Sequence, residues 1–136
     1  FVRAKMEEME MELAKLTSNE GKEAYMQAVA QNKEYVTCDK FRLKFLRVEM
    51  FDARLAAGRM ARFFDEKKKL FGADKLTKEI KLCDLDKDDQ NFLQSGVIQI
   101  LPQRDRAGRC IITSMPRDYN WEREAMHTMV RSSWWI

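Results

Sequence analysis

The segment Lys44-Phe45-Leu46-Arg47-Val48-Glu49-Met50-Phe51-Asp52-Ala53-Arg54-Leu55-Ala56-Ala57 decides how this chain folds. It reads as the end of one helix, a sharp joint at Met50-Phe51, and the start of a longer helix. Asp52 has the chemistry of an N-cap: its carboxylate can accept from the free N–H groups of the next turn and suits the positive end of the helix dipole. Phe45, Leu46 and Phe51 are too apolar for a solvated joint. The corner is therefore expected to be buried, with Phe63 of the following helix in the same cluster.

Upstream, Met6, Met9, Leu13 and Leu16 recur at steps of three and four between charged residues, which predicts an amphipathic helix over residues 2–16. Helical spacing makes this methionine stripe a packing face rather than a ligand groove. Thr17-Ser18-Asn19-Glu20 interrupts it, with Thr17 and Glu20 at capping-box spacing. A second helix is expected to about Val36, with Ala24, Tyr25, Ala28 and Val29 inward, and Asp39 is expected to cap a third over residues 40–48. Beyond the joint, residues 53–71 form the longest helix, expected to bury Leu55, Ala56, Met60, Phe63, Phe64 and Phe71, with Gly72 as its stop. Lys67-Lys68-Lys69 falls in the last turn, where cations suit the dipole, and reads as a solvated helix end rather than a membrane contact.

Downstream the pattern changes. Asp84-Leu85-Asp86-Lys87-Asp88-Asp89 suggests a calcium loop, but the sixth position is Asp89 where glycine is needed and the twelfth is Ser95 where glutamate is needed. A short helix capped by Asp86 fits better, with Asp88 and Asp89 in its first turn, Phe92 and Leu93 inward, and Gly96 at its end. At Val97 the period becomes that of a strand: residues 97–101 pair with residues 110–113 across a polar loop, residues 102–109, in which Gly108 supplies a positive φ. Asn120 is placed to cap a last helix from Trp121, with Met126, Met129, Val130 and Trp134 on one face. The reading is mainly α, α+β overall: about five helices in a domain of residues 1–96, then a hairpin and helix at 97–136.

Composition narrows the function classes. The chain has 136 residues, 25 basic and 22 acidic side chains, and a net charge of +3. Residues 1–96 hold 19 basic and 18 acidic groups and residues 97–136 hold 6 and 4, so neither part is a basic module. Without a lysine/arginine stripe interleaved with aromatics, nucleic acid is not an expected partner. Cys38, Cys83 and Cys110 are an odd number with no CxxC spacing and a single histidine, so neither a disulfide framework nor a zinc site is expected, and all three read as free buried thiols. No apolar run approaches the roughly 20 residues of a membrane span. The start at Phe1 and the apolar end at Trp134-Trp135-Ile136 suggest a segment of a longer protein.

Chemistry is hard to find. His127 has Arg123 and Arg131 four residues to either side and reads as a polar-face histidine. Neither a GxGxxG nor a GxxxxGK[ST] pattern occurs. No nucleophile–base pair is apparent, so no catalytic residue, metal ligand or cofactor is expected.

Several blocks together resemble the CRAL-TRIO lipid-transfer family. Phe45-Leu46-Arg47-Val48-Glu49-Met50-Phe51-Asp52 is similar to that family's Phe-Leu-Arg-Ala-x-x-Phe-Asp pattern, departing at Val48. Ala56-Ala57 through Phe63-Phe64-Asp65-Glu66-Lys67 resembles its next helix. Asp105-Arg106-Ala107-Gly108-Arg109-Cys110-Ile111 resembles its Asp-x-x-Gly-Arg-Pro-Val hairpin, with Cys110 in place of proline, and Tyr119-Asn120-Trp121-Glu122 onward looks like the helix after it. Leu101-Pro102 ahead of that loop is similar to a divergent branch common in microalgae. The resemblance implies a helical domain followed by the start of a truncated α/β lipid-binding domain, with the apolar pocket beyond Ile136. It implies a non-enzymatic carrier of phosphatidylinositol or another hydrophobic lipid, cytoplasmic, with transient contact at a membrane surface. No lipid-contacting residue is carried over, so the ligand-binding residues stay unknown. The rival expectation is a helical protein-interaction or scaffold module that carries no lipid.

Overall fold

The chain doubles back on itself at Met50-Phe51, the two non-glycine residues with positive φ among those described, at 50° and 66°. A computed structural model describes residues 1–17, 21–114 and 123–135. These comprise seven α-helices, α1 Val2–Lys15, α2 Lys22–Gln31, α3 Lys33–Thr37, α4 Asp39–Val48, α5 Ala53–Phe71, α6 Lys87–Gln94 and α7 Arg123–Trp135, with strands β1 Ile98–Arg104 and β2 Cys110–Ser114. The architecture is mainly α with one two-stranded antiparallel sheet. Two compact units result, Phe1–Glu79 and Ile80–Ile136.

Helix α5 is the spine of the first unit. It turns Ala53, Ala56, Ala57, Met60, Ala61 and Phe64 into the core. Four of these six are alanines, whose small side chains let neighbouring backbones come close. Gly21, at the start of α2, shows how close: a Cβ there would lie 2.8 Å from the Ala61 carbonyl oxygen, and its φ of 83° also favours glycine. Met9 and Leu13 from α1, Ala24, Tyr25 and Ala28 from α2, and Phe41, Phe45 and Leu46 from α4 complete the core. Within it the Phe41 ring lies 5.2 Å from Phe45, 5.7 Å from Phe63 and 5.9 Å from Phe64, in edge-on or tilted geometries that favour ring quadrupoles.

The corner is built as a hydrogen-bonded reversal. The Phe51 N–H donates to the Leu46 carbonyl at 2.7 Å, and the Asp52 N–H donates to Glu49 at 2.9 Å. Asp52 caps α5 as expected, accepting from the Leu55 N–H at 2.9 Å. Phe45 and Leu46 are buried, and Phe51 and Phe63 are half-buried against the same core. The corner as a whole is not buried, however: Met50 is 91% exposed.

Three local expectations are corrected. The helix expected to run to Val36 breaks at Asn32, which is extended at φ −157° and caps α3 by accepting from the Tyr35 N–H at 3.0 Å. Asparagine competes for backbone donors in this way and favours such breaks. Cys38, not Asp39, is the N-cap of α4, and Asp39 lies in its first turn. Leu55 is exposed, since the turn after Asp52 directs residues 53, 56 and 57 inward instead. Gly72 does stop α5, donating to the Lys68 carbonyl with φ at 84°.

In the second unit, Asp86 and Asp89 form a capping box at the start of α6: the Asp89 N–H donates to Asp86 at 2.9 Å and the Asp86 N–H to Asp89 at 3.2 Å. Phe92 is buried and Leu93 half-buried, with Gly96 at φ 75° beyond the helix end. Asp89 is itself fully buried; its carboxylate accepts from Arg131 Nε of α7 at 2.7 Å, and the Ser132 hydroxyl donates to its carbonyl at 3.3 Å. This bond explains why the chain divides between Glu79 and Ile80 rather than at Gly96. Helix α6 is fastened to α7 and belongs with the hairpin.

The hairpin pairs Ile98 with Ser114, Gln99 with Thr113, Ile100 with Ile112 and Arg104 with Cys110, the register shifting between Ile100 and Arg104. Strand β1 therefore runs past Pro102 to Arg104, beyond the expected end at Leu101. Pro102 lies in the irregular stretch, where its missing N–H costs no ladder bond. On α7, the expected apolar face is divided: Met129 and Trp134 are half-buried, Met126 and Val130 are exposed, and Ser132 is buried. Ser18, Asn19, Glu20, Asn120 and Trp121, and the expected caps and helix start that rest on them, lie outside the described residues.

Two substitutions test the corner. Asp52→Ala removes the cap and lowers stability by about 1 kcal/mol in chemical denaturation. Met50→Gly relieves the left-handed backbone and raises stability by roughly 0.5–1 kcal/mol, the remainder of the relief being offset by the freer unfolded chain.

Candidate functional site

The most chemically distinct surface of the first unit is a cleft between α1 and α5, of about 430 Å³. Its floor is Ala57 and Gly58, its apolar wall Leu16 and Leu55, and its rim Glu12, Lys15, Arg54 and Arg62. Spacing of four along α5 places Arg54 and Arg62 one turn to either side of Gly58. The Arg62 guanidinium folds back over that glycine, where a Cβ would meet its nitrogen at 3.7 Å. Lys15 is neutralised by Glu12 at 2.6 Å. Arg54 and Arg62 have no hydrogen-bond or ion-pair partner among the described residues.

A second groove, of about 590 Å³, runs between α1 and α4 and is lined by Val2, Met6, Glu10, Asp39, Arg42 and Leu43 among others. Its charges balance. Arg42 is buried beside it, with Nη1 3.5 Å from Glu10 and the guanidinium facing the Tyr25 hydroxyl. Burial raises the Tyr25 pKa and Arg42 opposes that rise. The buried Arg42 Nε has no acceptor. These contacts tie α4 to α1 and α2 and read as structure.

Lys67 departs most from expectation. The run Lys67-Lys68-Lys69 was expected at a solvated helix end, yet Lys67 is 3% exposed. Its ammonium donates to the Lys78 carbonyl at 2.6 Å and lies 5.9 Å from the centre of the Phe63 ring. Burial pushes its pKa down to about 8. Lys68 and Lys69 do reach solvent-facing partners, Glu23 at 2.9 Å and Asp65 and Glu66 at 2.8 Å. The signal for Lys67 lay in helical spacing, because steps of four and three from Met60 and Phe64 put it on the buried face.

In the second unit the Asp105 loop is self-organised. Asp105 accepts from the Ala107 and Arg109 N–H groups, both at 2.8 Å, and from Arg109 Nε at 2.6 Å. The Arg109 backbone and side-chain bonds, joined by that from Ala107, hold its carboxyl below the usual range. Every strong acceptor is used to shape the turn. Cys38, Cys83 and Cys110 are free as expected but exposed, not buried: Cys38 is the N-cap of α4, Cys83 lies in a 3-10 turn over Leu82–Asp84, and Cys110 begins β2. No cluster of metal ligands occurs among the described residues. The side chain of His127 lies outside what is described. No described helix is long and apolar enough to cross a membrane. No protein-family model, curated protein or solved structure matches the chain.

The buried lysine makes a pH-dependent prediction. Its folded-state pKa of about 8 lies below the ordinary lysine value of 10.5, so between these values the unfolded chain binds more proton. Stability contributed by this site therefore rises with pH across that window. Denaturation at pH 7 and pH 9.5 is expected to show wild type gaining on Lys67→Met; a difference that stays constant with pH removes the assignment.

Proposed function

We propose that this chain belongs to a non-catalytic lipid-binding or lipid-transfer protein of the CRAL-TRIO kind, its first unit the helical domain and its second the opening of the lipid domain. The observation that carries this reading is the apolar surface of the second unit. Ile100 and Ile112, paired across the hairpin, are 49% and 58% exposed, and Met126 and Val130 on α7 are also exposed. Large apolar side chains outside a core belong against a ligand, further sheet or a partner. Transfer of an acyl or isoprenoid chain into an apolar pocket contributes about 0.8 kcal/mol per methylene removed from water, which suffices to carry a lipid without covalent chemistry. The ligand class is phosphatidylinositol or another hydrophobic lipid, and the setting is the cytoplasm with transient membrane contact.

The rival is a helical interaction module that carries no lipid. The charge-balanced α1–α4 groove, with Met6 and Leu43 in its lining, favours it. Expression of the complete gene product, followed by extraction and mass spectrometry, is expected to recover bound lipid, and the protein is expected to move labelled phosphatidylinositol between vesicles. Recovery of no lipid together with no transfer removes the first reading and leaves the second.

A further inference from the structure

After Gly72 ends α5, the chain returns against the end of that helix before it reaches Ile80. Three contacts hold it there. Leu76 is fully buried in the core of the first unit, Gln31 of α2 donates to the Ala73 carbonyl, and the Lys67 ammonium donates to the Lys78 carbonyl at 2.6 Å. Asp74, Lys78 and Glu79 are exposed. Lys67 is a poor fastening while it carries charge. An ammonium has three N–H donors, and the Lys78 carbonyl is the one acceptor it reaches among the described residues. The charged groups around it are engaged elsewhere or face water: Lys68 pairs with Glu23 of α2, and Lys69 with Asp65 and Glu66. Tyr35 of α3, 4.8 Å from Phe41 in the adjoining aromatic cluster, has its pKa raised by burial and stays neutral through the range in which Lys67 titrates.

We propose that residues 72–79 form a proton-linked strap on the first unit, held against α5 when the Lys67 amine is neutral and released when that amine takes up a proton and turns to water. The neutral amine keeps two N–H donors, enough for the Lys78 carbonyl, and loses the charge that burial penalises. Burial is the cause that lowers the Lys67 pKa to about 8 in the closed state. Opening of the strap returns the amine to water and to its ordinary value of 10.5. The open state therefore binds the proton more tightly. Opening is favoured as pH falls toward 8 and suppressed as pH rises above it.

The place of the strap gives this a consequence. Residues 72–79 are the last part of the first unit, and the chain passes from them directly into the second at Ile80. Release adds their length to the free connector between the units, while the packing of α1, α2 and α4 on α5 stays as it is. Near neutral pH Lys67 is charged in the closed state, so the strap is poised to open. The fully buried Leu76 is what opposes release. None of this depends on whether a lipid is carried.

The test is amide hydrogen exchange of the 136-residue chain, followed by NMR at pH 7 and pH 9, each rate divided by its intrinsic chemical rate to give an opening constant. The reporters are the Leu76 and Lys78 N–H groups, which donate to Ala73 and Lys75 within the strap, and the Met60 amide within α5 is the reference. Leu76 and Lys78 are expected to open more readily than Met60. Their opening constants are expected to fall about tenfold from pH 7 to pH 9, the change that a pKa of about 8 closed and 10.5 open produces. In Lys67→Met that fall is expected to disappear. Reporters that exchange no faster than Met60 open only with the whole unit, which overturns the strap. An opening constant that does not change with pH in the wild type, or the same fall persisting in Lys67→Met, overturns the proton link. An NMR titration of the Lys67 side chain in the wild type reads that link without a variant: a midpoint near 8 supports it, and one near 10.5 overturns it.

Discussion

The reversal at Met50-Phe51 is the constraint on which the first unit depends. Two successive non-glycine residues in the left-handed region cost roughly 1–2 kcal/mol each. The strain persists because its surroundings over-determine it. Leu46 is fully buried on one side, Ala53 is buried on the other, and the Phe51 N–H reaches back to the Leu46 carbonyl. With both ends pinned, the chain between them has no relaxed alternative that keeps Phe45 and Leu46 in the core. The reversal also sets the rotation of α5 about its own axis. That rotation puts its alanine face toward α1 and α2, and so determines where Gly21 must make its close approach.

Buried charges form a second theme, and each joins two pieces of chain. Arg42 links α4 to Glu10 of α1, Lys67 links α5 to the Lys78 carbonyl, and Asp89 links α6 to Arg131 of α7. Removing such groups from water costs more than an apolar side chain would, so their value lies less in net stability than in choosing one arrangement over near alternatives. A leucine at position 67 would pack on Phe63 in several registers of the following segment. An ammonium that needs a carbonyl accepts far fewer.

Much of this was legible in the sequence, and the divide follows a physical line. The span of α5, the Asp52 and Asp86 caps, the Gly72 stop and the hairpin were readable because each rests on local backbone chemistry. The Asn32 break was local too, but a continuous apolar face on both sides masked it. What escaped were charged residues on buried faces. Lys67, Arg42 and Asp89 occupy helical positions that periodicity assigns to the core, yet their side chains argued for solvent. Nothing in the sequence shows that a carbonyl, a carboxylate or an arginine from a distant segment will be waiting. Likewise Met126, Met129, Val130 and Trp134 made an obvious apolar face for α7, of which Met129 and Trp134 are half-buried, while the contacts of Arg131 and Ser132 with Asp89 could not be foreseen.

The same division bears on the cleft. Arg54 and Arg62 looked like two of many basic residues on a charge-balanced chain, and a count of charges gave no reason to single them out. Their significance comes from which acids are already occupied. Glu12 pairs with Lys15, Glu49 with Arg59, and Asp52 caps α5, so these three acids are engaged elsewhere while Arg54 and Arg62 have no partner among the described residues. Which charges meet is set by helix spacing and by the corner between α4 and α5, not by how many of each sign the chain carries, and a tally of charges therefore could not single them out.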